Sequence, residues 1–369
     1  MAHGGRSDEV WVPPHCPNPN CRFHSPLKSG WRFKRAGFFT RQSHPSRIQR
    51  FTCLVCNRHF SSQTFSTTYW QKLPGLDRDI FMKTVGGMAN RQIARDLGLS
   101  PKTVDDRLAR LGRHCMLFHR RMMTGTMPPS EVAVDGFESF ELSQYYPFHH
   151  HVAVEKETDF FIYFTDSELR RKGRMTTAQK RRRSALEEAH GRPDPQAVRK
   201  DMVELLDVAL AGRARATVYS DDHRSYPPAL RRIACKIEHH VTSSRHHRDR
   251  HNKLWEVNLL DLLIRHSGAN HKRETIAWSK RRQASAERLS IFLVWRNYIK
   301  GRREKERGSP TPAMARGMTE RPFTVEDVLS TRIFRDHVAM PSRWSSYYAR
   351  EVRTRALGTH RVHQLKYAA

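Results

Sequence analysis

The sequence lacks long apolar runs and an N-terminal secretion signal. None of its apolar stretches reaches the length of about 20 residues that a membrane-spanning helix needs. The first residues show no basic segment followed by an apolar core and a cleavage site. These two absences predict an intracellular protein of the cytoplasm.

Acidic residues are in the minority. The chain has 37 Asp and Glu residues against 66 Lys and Arg residues, which gives a formal net charge of +29. A protein this basic usually binds a polyanion, and nucleic acid is the commonest, because each neutralised phosphate releases counterions. An anionic membrane surface is the alternative. The 38% hydrophobic content is enough for folded cores and argues against global disorder.

Cysteine is scarce, with six residues in 369, but four of the six form two close pairs in CPNPNC and CLVC. In a reducing compartment such pairs indicate a metal rather than disulfides, and two of them can close a tetrahedral Zn²⁺ site. The pattern predicts a structural zinc ribbon, and unpaired core cysteines are the alternative. The predicted ligands are Cys16, Cys21, Cys53 and Cys56. The loose spacing of the first pair leaves three possible substitutes for one ligand: His15, His24 and His59.

The segment 76–115 has apolar residues at helical spacing and a helix-start signal in its middle. DLGLSPKTV predicts a helix, a glycine turn and a second helix, with Ser100 as the N-cap and Pro101 as the first helical residue. This pattern predicts a helix-turn-helix whose recognition helix spans residues 101–113, and an ordinary helical hairpin is the alternative. The side chains expected to reach DNA are Lys102, Thr103, Arg107, Arg110 and Arg113.

From Glu131 onward the pattern predicts an α/β domain with a mixed sheet. EVAVDGFESFEL predicts a first strand, HHHVAVEKETDFFIYFTDSE a hairpin, PDPQAVRKDMVELLDVALAG a helix and ATVYSDD a fourth strand. RRKGRMTTAQKRRR predicts a basic, polar loop. Asp135 then lies in the first strand and Asp221 at the C-terminal end of the fourth, and adjacent strands would bring the two close together.

Residues 252–268, NKLWEVNLLDLLIRHSG, predict a buried helix because they are apolar almost all round. Asn258, Asp261 and Arg265 form a polar stripe on one face of it. Glu256 is about 200° around the helix from Asn258 and lies in the first turn, where an acid favours the helix dipole. Asp261 is therefore the carboxylate that this helix directs inward.

Asp135, Asp221 and Asp261 come from three separate segments. Carboxylates are the ligands that Mg²⁺ and Mn²⁺ prefer, and two such ions about 3.5–4 Å apart stabilise an in-line phosphoryl transfer. The three residues therefore predict a metal-dependent site of phosphoryl transfer. The alternative places each aspartate in a turn, a helix cap or a salt bridge.

Four parts of the chain, in order, resemble bacterial DDE-type insertion-sequence transposases with an N-terminal zinc ribbon, the insertion-sequence-one-like group. They are CPNPNC…CLVC, the helix-turn-helix, VAVDGFESF…YSDDHRSY and LLIRHSGANHKRETIAWSKRRQASAERLSIFLVWRNYIKG. The last part is the most specific, because Arg265 is followed after seven residues by R-x-T-x-x-x-S-K, which ends at Lys280. TPAM at 311–314 also recurs after such domains, so the resemblance covers residues 10–330.

The resemblance implies an RNase H-like catalytic fold, with Mg²⁺ or Mn²⁺, that cuts transposon ends and transfers them into target DNA. It matches Asp135 to the first acid and Asp221 to the second, because Tyr226 follows Asp221 at the spacing of the family. Asp222 is then a neighbour that supports the second acid.

The third acid departs from the family pattern. The family has Glu where this chain has Asn258. Asp261, one turn further along the same face, is the predicted third ligand, and Glu256 is the weaker candidate. If neither binds metal, the chain would be an inactive copy.

The resemblance also implies double-stranded DNA as the partner, both transposon ends and target. It further implies a homodimer or higher oligomer on that DNA in the bacterial nucleoid. Four cationic side chains are spaced to hold phosphates near the acids, although a solvated basic face is the alternative. They are Arg265, Lys272, Arg273 and Lys280. The HHH run at 149–151 is not predicted to bind metal, because adjacent strand residues point to opposite faces.

These features divide the chain into a zinc ribbon (10–70), a helix-turn-helix domain (71–125), an RNase H-like catalytic domain (130–300) and a basic tail (301–369). The tail is expected to begin as a linker and to continue as a helix. The predicted function is a DNA transposase. The alternatives are a non-catalytic DNA-binding protein derived from a transposase and an RNase H-like nuclease that cuts without joining.

Overall fold

A small antiparallel sheet opens the fold in the computed structural model, which describes residues 11–25, 29–272, 275–360 and 362. Its strands, in the order β1-β2-β3, are β1 (Phe33–Thr40), β2 (Arg47–Cys53) and β3 (His59–Ser61). The ring of Phe51 is fully buried and packs against the rings of Phe33 and Phe60. These short strands lie between and beside the two cysteine pairs, as the sequence predicts.

Three helices follow: α1 (Asp77–Val85), α2 (Asn90–Asp96) and α3 (Pro101–Met123). Gly98, with a φ of +62°, turns the chain between α2 and α3 in a conformation that favours glycine. Ser100 Oγ then accepts a hydrogen bond from the Thr103 N–H (3.1 Å), which makes Ser100 the N-cap of α3. The helix, turn and second helix are where the sequence predicts them, but α3 runs ten residues beyond the predicted recognition helix.

A five-stranded mixed sheet forms the centre of the fold, with the strand order β6-β5-β4-β7-β8. Its strands are β4 (Glu131–Phe140), β5 (Pro147–Glu155), β6 (Phe161–Glu168), β7 (Arg215–Ser220) and β8 (Lys236–Val241). β5 is antiparallel to β4 and β6, whereas β4, β7 and β8 are parallel. This sheet is compatible with the RNase H-like fold that the resemblance implies. β8 was not predicted, because KIEHHV is an edge strand with little apolar signal.

Helices cover both faces of this sheet. In chain order they begin with α4 (Thr177–His190), which buries none of its residues, and α5 (Ala197–Ala209), which packs on the sheet. α6 (Tyr226–Leu230) packs on α5, and α7 (Trp255–Ser267) packs on the sheet. α8 (Arg282–Val294) follows and continues as a π-helical turn (Trp295–Ile299). The adjacent residues His150 and His151 point to opposite faces. His150 bonds Ser285 of α8, whereas His151 bonds Ser167, which donates to Asp201 of α5. None of the helices in the described part of the chain has the length and apolar character needed to cross a bilayer.

Helix α4 corrects the prediction of a basic loop from Arg170 onward. Thr176 Oγ1 accepts from the Gln179 N–H (3.2 Å), and Gln179 Oε1 accepts from the Thr176 N–H (3.1 Å), so a capping box starts the helix. Arg170 holds Glu187 through two hydrogen bonds of 2.8 and 3.0 Å. No residue of α4 is buried, so the sequence has no apolar periodicity there to indicate a helix.

The C-terminal segment packs on the chain's own sheet. Its described part contains three short α-helices: α9 (Pro312–Ala315), α10 (Val325–Leu329) and α11 (Ser342–Ala349). Trp344 and Tyr347 of α11 are fully buried. Trp344 Nε1 donates to the Phe164 carbonyl of β6 (3.0 Å), and the Tyr347 hydroxyl donates to Asp166. The segment therefore covers the β6 edge, which would otherwise expose unpaired backbone groups.

Gly112 lets α3 approach α8 closely. A Cβ at Gly112 would lie 2.5 Å from the Glu287 carbonyl oxygen and 2.7 Å from its Cα. Gly112→Ala is therefore expected to lower the free energy of unfolding by about 1–3 kcal/mol, because the backbone of α8 must move. Chemical denaturation measures the effect. Gly75→Ala, whose Cβ would meet nothing within 4 Å, is the control. Equal stability of the two variants would contradict this close packing.

Candidate functional site

Asp135, in the middle of β4, and Asp221, just after the end of β7, lie on neighbouring parts of the central sheet. β4 and β7 pair in parallel, with Ala133 opposite Tyr219. Asp135 and Asp221 are each two residues further along, so the same register puts them side by side on one face of the sheet. Asp221 begins the loop after β7, where its Oδ1 accepts a hydrogen bond from the His223 N–H (3.1 Å).

Asp261 reaches this face from helix α7, which packs on β4. Its neighbour Arg265 lies over the ring of Phe137 of β4, with the guanidinium carbon 5.4 Å from the ring centroid. Arg265 Nε donates to Asp261 Oδ2 (3.2 Å), which holds the two side chains together. The polar stripe of α7 therefore faces the sheet, as the sequence predicts.

The charges of Asp221 and Asp261 act on the carboxylate of Asp135. Burial raises the pKa of Asp135 to about 7, and the charges of Asp221 and Asp261 contribute to the rise. The Gly136 N–H, which donates to Asp135 Oδ1 (2.7 Å), and the charge of Arg248 oppose it. Negative charges this close to one another in a buried site destabilise the folded state unless protons or a cation neutralise them. Asp221 and Asp261 therefore lie close enough to Asp135 for their charges to act on it, although the three carboxylates are not among the groups of described residues whose ligand atoms all lie within 4.8 Å of one another. Carboxylate oxygens are the ligands that a divalent cation such as Mg²⁺ or Mn²⁺ prefers.

The two weaker acidic candidates have other partners. Glu256 Oε2 forms an ion pair with Lys156 Nζ (2.6 Å) in the turn between β5 and β6. Asp222 is exposed, and its Oδ2 accepts hydrogen bonds from the Ser244 N–H (3.4 Å) and the Ser243 hydroxyl (3.5 Å). The structure thus separates Glu256 from the polar stripe and directs Asp222 toward the loop after β8.

Sequence reasoning missed Arg248, whose charge acts on Asp135, and the buried ring of His149, which packs against Gly136. Arg248 is exposed in the loop before α7, and its charge lowers the pKa of Asp135. Burial lowers the pKa of His149 to about 4, so this ring is neutral at pH 7. A Cβ at Gly136 would lie 2.4 Å from His149 Cε1, so this glycine beside Asp135 makes room for the ring. The run HHRDR shows that basic residues are concentrated in this part of the chain. A loop has no periodicity, however, from which the position of Arg248 relative to the acids could be predicted.

Only the first turn of α3 presents its predicted DNA contacts to solvent. Lys102 is exposed and pairs with Asp106 (2.9 Å), and the partly exposed Thr103 shares a hydrogen bond with Ser100. Arg107 is buried, where Nη1 donates to Asp77 (2.9 Å) and Nη2 to the Leu73 carbonyl (2.8 Å).

The next two arginines of α3 are also turned inward. Burial lowers the pKa of Arg110 to about 10, and Arg113 is buried beside α8. The placement of Arg107, Arg110 and Arg113 therefore corrects the expectation that they reach DNA. Its physical reason is that α3 is enclosed by two other helices: Asp77 of α1 pairs with Arg107, and α8 packs along α3 beside Arg113.

A groove of about 960 Å³ lies between the helix-turn-helix and the segment 269–288. Lys272 and Lys280 line it, with Lys280 Nζ 3.7 Å from the centroid of the Trp278 ring. Five further arginines line the same groove: Arg91, Arg95, Arg281, Arg288 and Arg350. Arg265 lies apart with Asp261, and the predicted Arg273 is outside the described residues. A groove this rich in cations is suited to a phosphate backbone.

The four paired cysteines form one cluster, in which their sulfur atoms all lie within 4.8 Å of one another. Burial raises the pKa of Cys16, whereas hydrogen bonds from Trp31 and the backbone outweigh the effect of burial at Cys53 and lower its pKa to about 7. The cluster is compatible with a zinc ion. Of the three substitute histidines, His59 shares a hydrogen bond with Thr52, and His15 and His24 group with His337 instead.

No family model matches the chain, and no curated protein matches it. Among solved structures, the chain is similar to a chain of the cryo-EM structure of the simian T-cell lymphotropic virus intasome in complex with the PP2A regulatory subunit B56 gamma. The two chains are 13% identical, the TM-score is 0.25, and the match covers 66% of this chain and 74% of the other. A likeness this distant identifies neither a family nor an activity for this chain.

Proposed function

We propose that this protein is a DDE-type DNA transposase that cuts DNA at transposon ends and joins those ends to target DNA. The main support for the proposal is that Asp135, Asp221 and Asp261 lie near one another on one face of the mixed sheet. Asp135 lies in β4, Asp221 just after β7 and Asp261 in α7, and the charges of Asp221 and Asp261 act on Asp135.

The residues around the acids support a role in phosphoryl transfer. Asp135, Asp221 and Asp261 would hold Mg²⁺ or Mn²⁺, which when bound activates a hydroxyl nucleophile and stabilises the leaving oxygen. Arg265 fixes the orientation of Asp261. The exposed Arg248 adds positive charge near Asp135, where it would contact a DNA phosphate.

The groove and the cysteine cluster supply the DNA-binding part of the proposal. Lys272 and Lys280, with Arg91, Arg95 and Arg281 of the groove, would contact phosphates of double-stranded DNA. The four cysteines would bind a structural zinc ion, since a set of four protein ligands leaves no open position for catalysis. Joining two transposon ends in one event favours a homodimer or a larger assembly on DNA.

A strand-joining reaction tests the proposal. Full-length protein is incubated with DNA that carries the inverted repeats flanking its own coding sequence, together with a supercoiled plasmid and Mg²⁺ or Mn²⁺. We expect metal-dependent joining of the repeat ends to the plasmid. Cutting without joining would replace the proposal with a nuclease, and binding without either reaction would replace it with a non-catalytic DNA-binding protein.

A further inference from the structure

A second cluster of metal-binding side chains lies between the ribbon and the C-terminal segment. His15 and His24 flank the first cysteine pair, and His337 ends a short 3-10 helix (Arg335–His337). One ring nitrogen of each histidine lies within 4.8 Å of those of the other two. The centroid of the His337 ring is 4.5 Å from that of His24 and 4.6 Å from that of His15.

The hydrogen bonds of these rings identify which nitrogens have a free lone pair. His15 Nδ1 and His24 Nδ1 lie 3.0 and 2.8 Å from the carbonyl oxygen of Cys16. A carbonyl oxygen only accepts, so both Nδ1 atoms carry the proton, and in a neutral ring Nε2 is then unprotonated. His337 Nε2 lies 2.8 Å from the His24 carbonyl oxygen and donates to it, which leaves Nδ1 of His337 unprotonated.

This arrangement is typical of histidines that bind a metal. Such histidines usually donate the other ring N–H to a carbonyl or carboxylate, which fixes the ring and the tautomer. His24 Nε2 is buried and makes no hydrogen bond to any of the residues that the structure describes. Asp336 Oδ2 lies 3.5 Å from it, on the side where Asp336 and His337 are open to solvent. Imidazole nitrogens are well suited to Zn²⁺.

We propose that His15, His24 and His337 form a second Zn²⁺ site, separate from the four cysteines, whose fourth position faces Asp336 and solvent. The ion would link the ribbon to the C-terminal segment. Five residues after His337 that segment enters α11, which buries Trp344 against β6. The second zinc would therefore fix the ribbon relative to the central sheet, and this inference does not depend on the proposed catalysis.

The competing explanation needs no metal. A protonated His24 could form an ion pair with Asp336, while the other rings pack against Phe65 and Phe334. The two explanations differ in the number of zinc ions per chain and in the atoms around them.

Zinc content and zinc X-ray absorption of the full-length protein test the proposal. After desalting from a zinc-containing buffer, the wild type is expected to hold about two zinc ions per chain and His337→Ala about one. His59→Ala, a histidine of the same ribbon outside the cluster, is the control and should keep both ions. In the Co²⁺-substituted His337→Ala variant, the thiolate-to-cobalt absorption should remain, since the cysteines are untouched.

The absorption spectrum of the wild type gives a result even if the variant fails to fold. If half of the zinc occupies each site, the X-ray absorption spectrum averages over the two sites. It should then show about two sulfur and two nitrogen or oxygen neighbours per zinc ion. Zinc surrounded by about four sulfur atoms alone, at about one ion per chain, would overturn the second site and leave the ion pair as the explanation.

Discussion

Replacing Asp135 or Asp221 with asparagine is expected to slow metal-dependent strand joining by about a thousandfold or more. The amide keeps the size of the side chain but removes a negative charge and a strong metal ligand. A loss of several kcal/mol of transition-state stabilisation corresponds to about this factor. The measurement is the initial rate of joined product for each variant at saturating Mg²⁺.

Loss of activity in these variants should not come from loss of folding. The charges of Asp221 and Asp261 raise the pKa of Asp135, which means that the ionised carboxylates repel one another. Asp135→Asn removes that repulsion, so without metal the variant is expected to resist denaturant at least as well as the wild type. A variant that is both inactive and much less stable would show that Asp135 mainly supports the fold.

The same assay decides the identity of the third acid. Asp261→Asn should lower the joining rate about as much as Asp135→Asn does, because Asp261 shares the site. Glu256→Gln should have little effect, because Glu256 pairs with Lys156 outside the polar stripe. Full activity of Asp261→Asn together with an inactive Glu256→Gln would show that the third ligand is assigned incorrectly.

The sequence predicted those elements of the fold that bury an apolar face. The strands around Asp135 and Asp221 and helix α7 are examples, because periodicity of apolar residues identifies them. Helix α4 and strand β8 were missed for the same reason: α4 buries none of its residues and β8 is a polar edge strand. The apolar patterns of β4 and β7 put Asp135 in one strand and Asp221 directly after another, and the polar stripe of α7 gives the orientation of Asp261. That the three residues form one metal site stays a prediction.

Contacts between residues far apart in the chain could not be predicted from the sequence. His337 bonds the His24 carbonyl across 313 residues, and no local pattern indicates such a contact. The inward orientation of Arg107 depends on Asp77 and the Leu73 carbonyl, which lie 30 and 34 residues earlier in the chain. A basic residue on a recognition helix looks the same in sequence whether it faces DNA or a buried carboxylate.

Arg107→Ala is expected to lower the free energy of unfolding by about 3–5 kcal/mol, because it leaves the carboxylate of Asp77 buried without its main cationic partner. Both side chains of this pair are less than a tenth exposed, and Gln71 donates to the second oxygen of Asp77 (2.9 Å). Burial already raises the pKa of Asp77, and the charge of Arg107 opposes that rise. Chemical denaturation of the full-length protein measures the loss.

Lys102→Ala in the same helix is the matched comparison. Its side chain is 70% exposed, so the stability of the fold should hardly change. Under the proposed function, removing one phosphate contact should lower the slope of log affinity for DNA against log salt concentration by about one. Arg107→Ala, assayed without denaturant and at a temperature at which it remains folded, should leave that slope unchanged. A stable Arg107→Ala protein with the reduced slope would instead mean that Arg107 leaves Asp77 and contacts DNA, because only a phosphate contact changes the salt dependence without changing the fold.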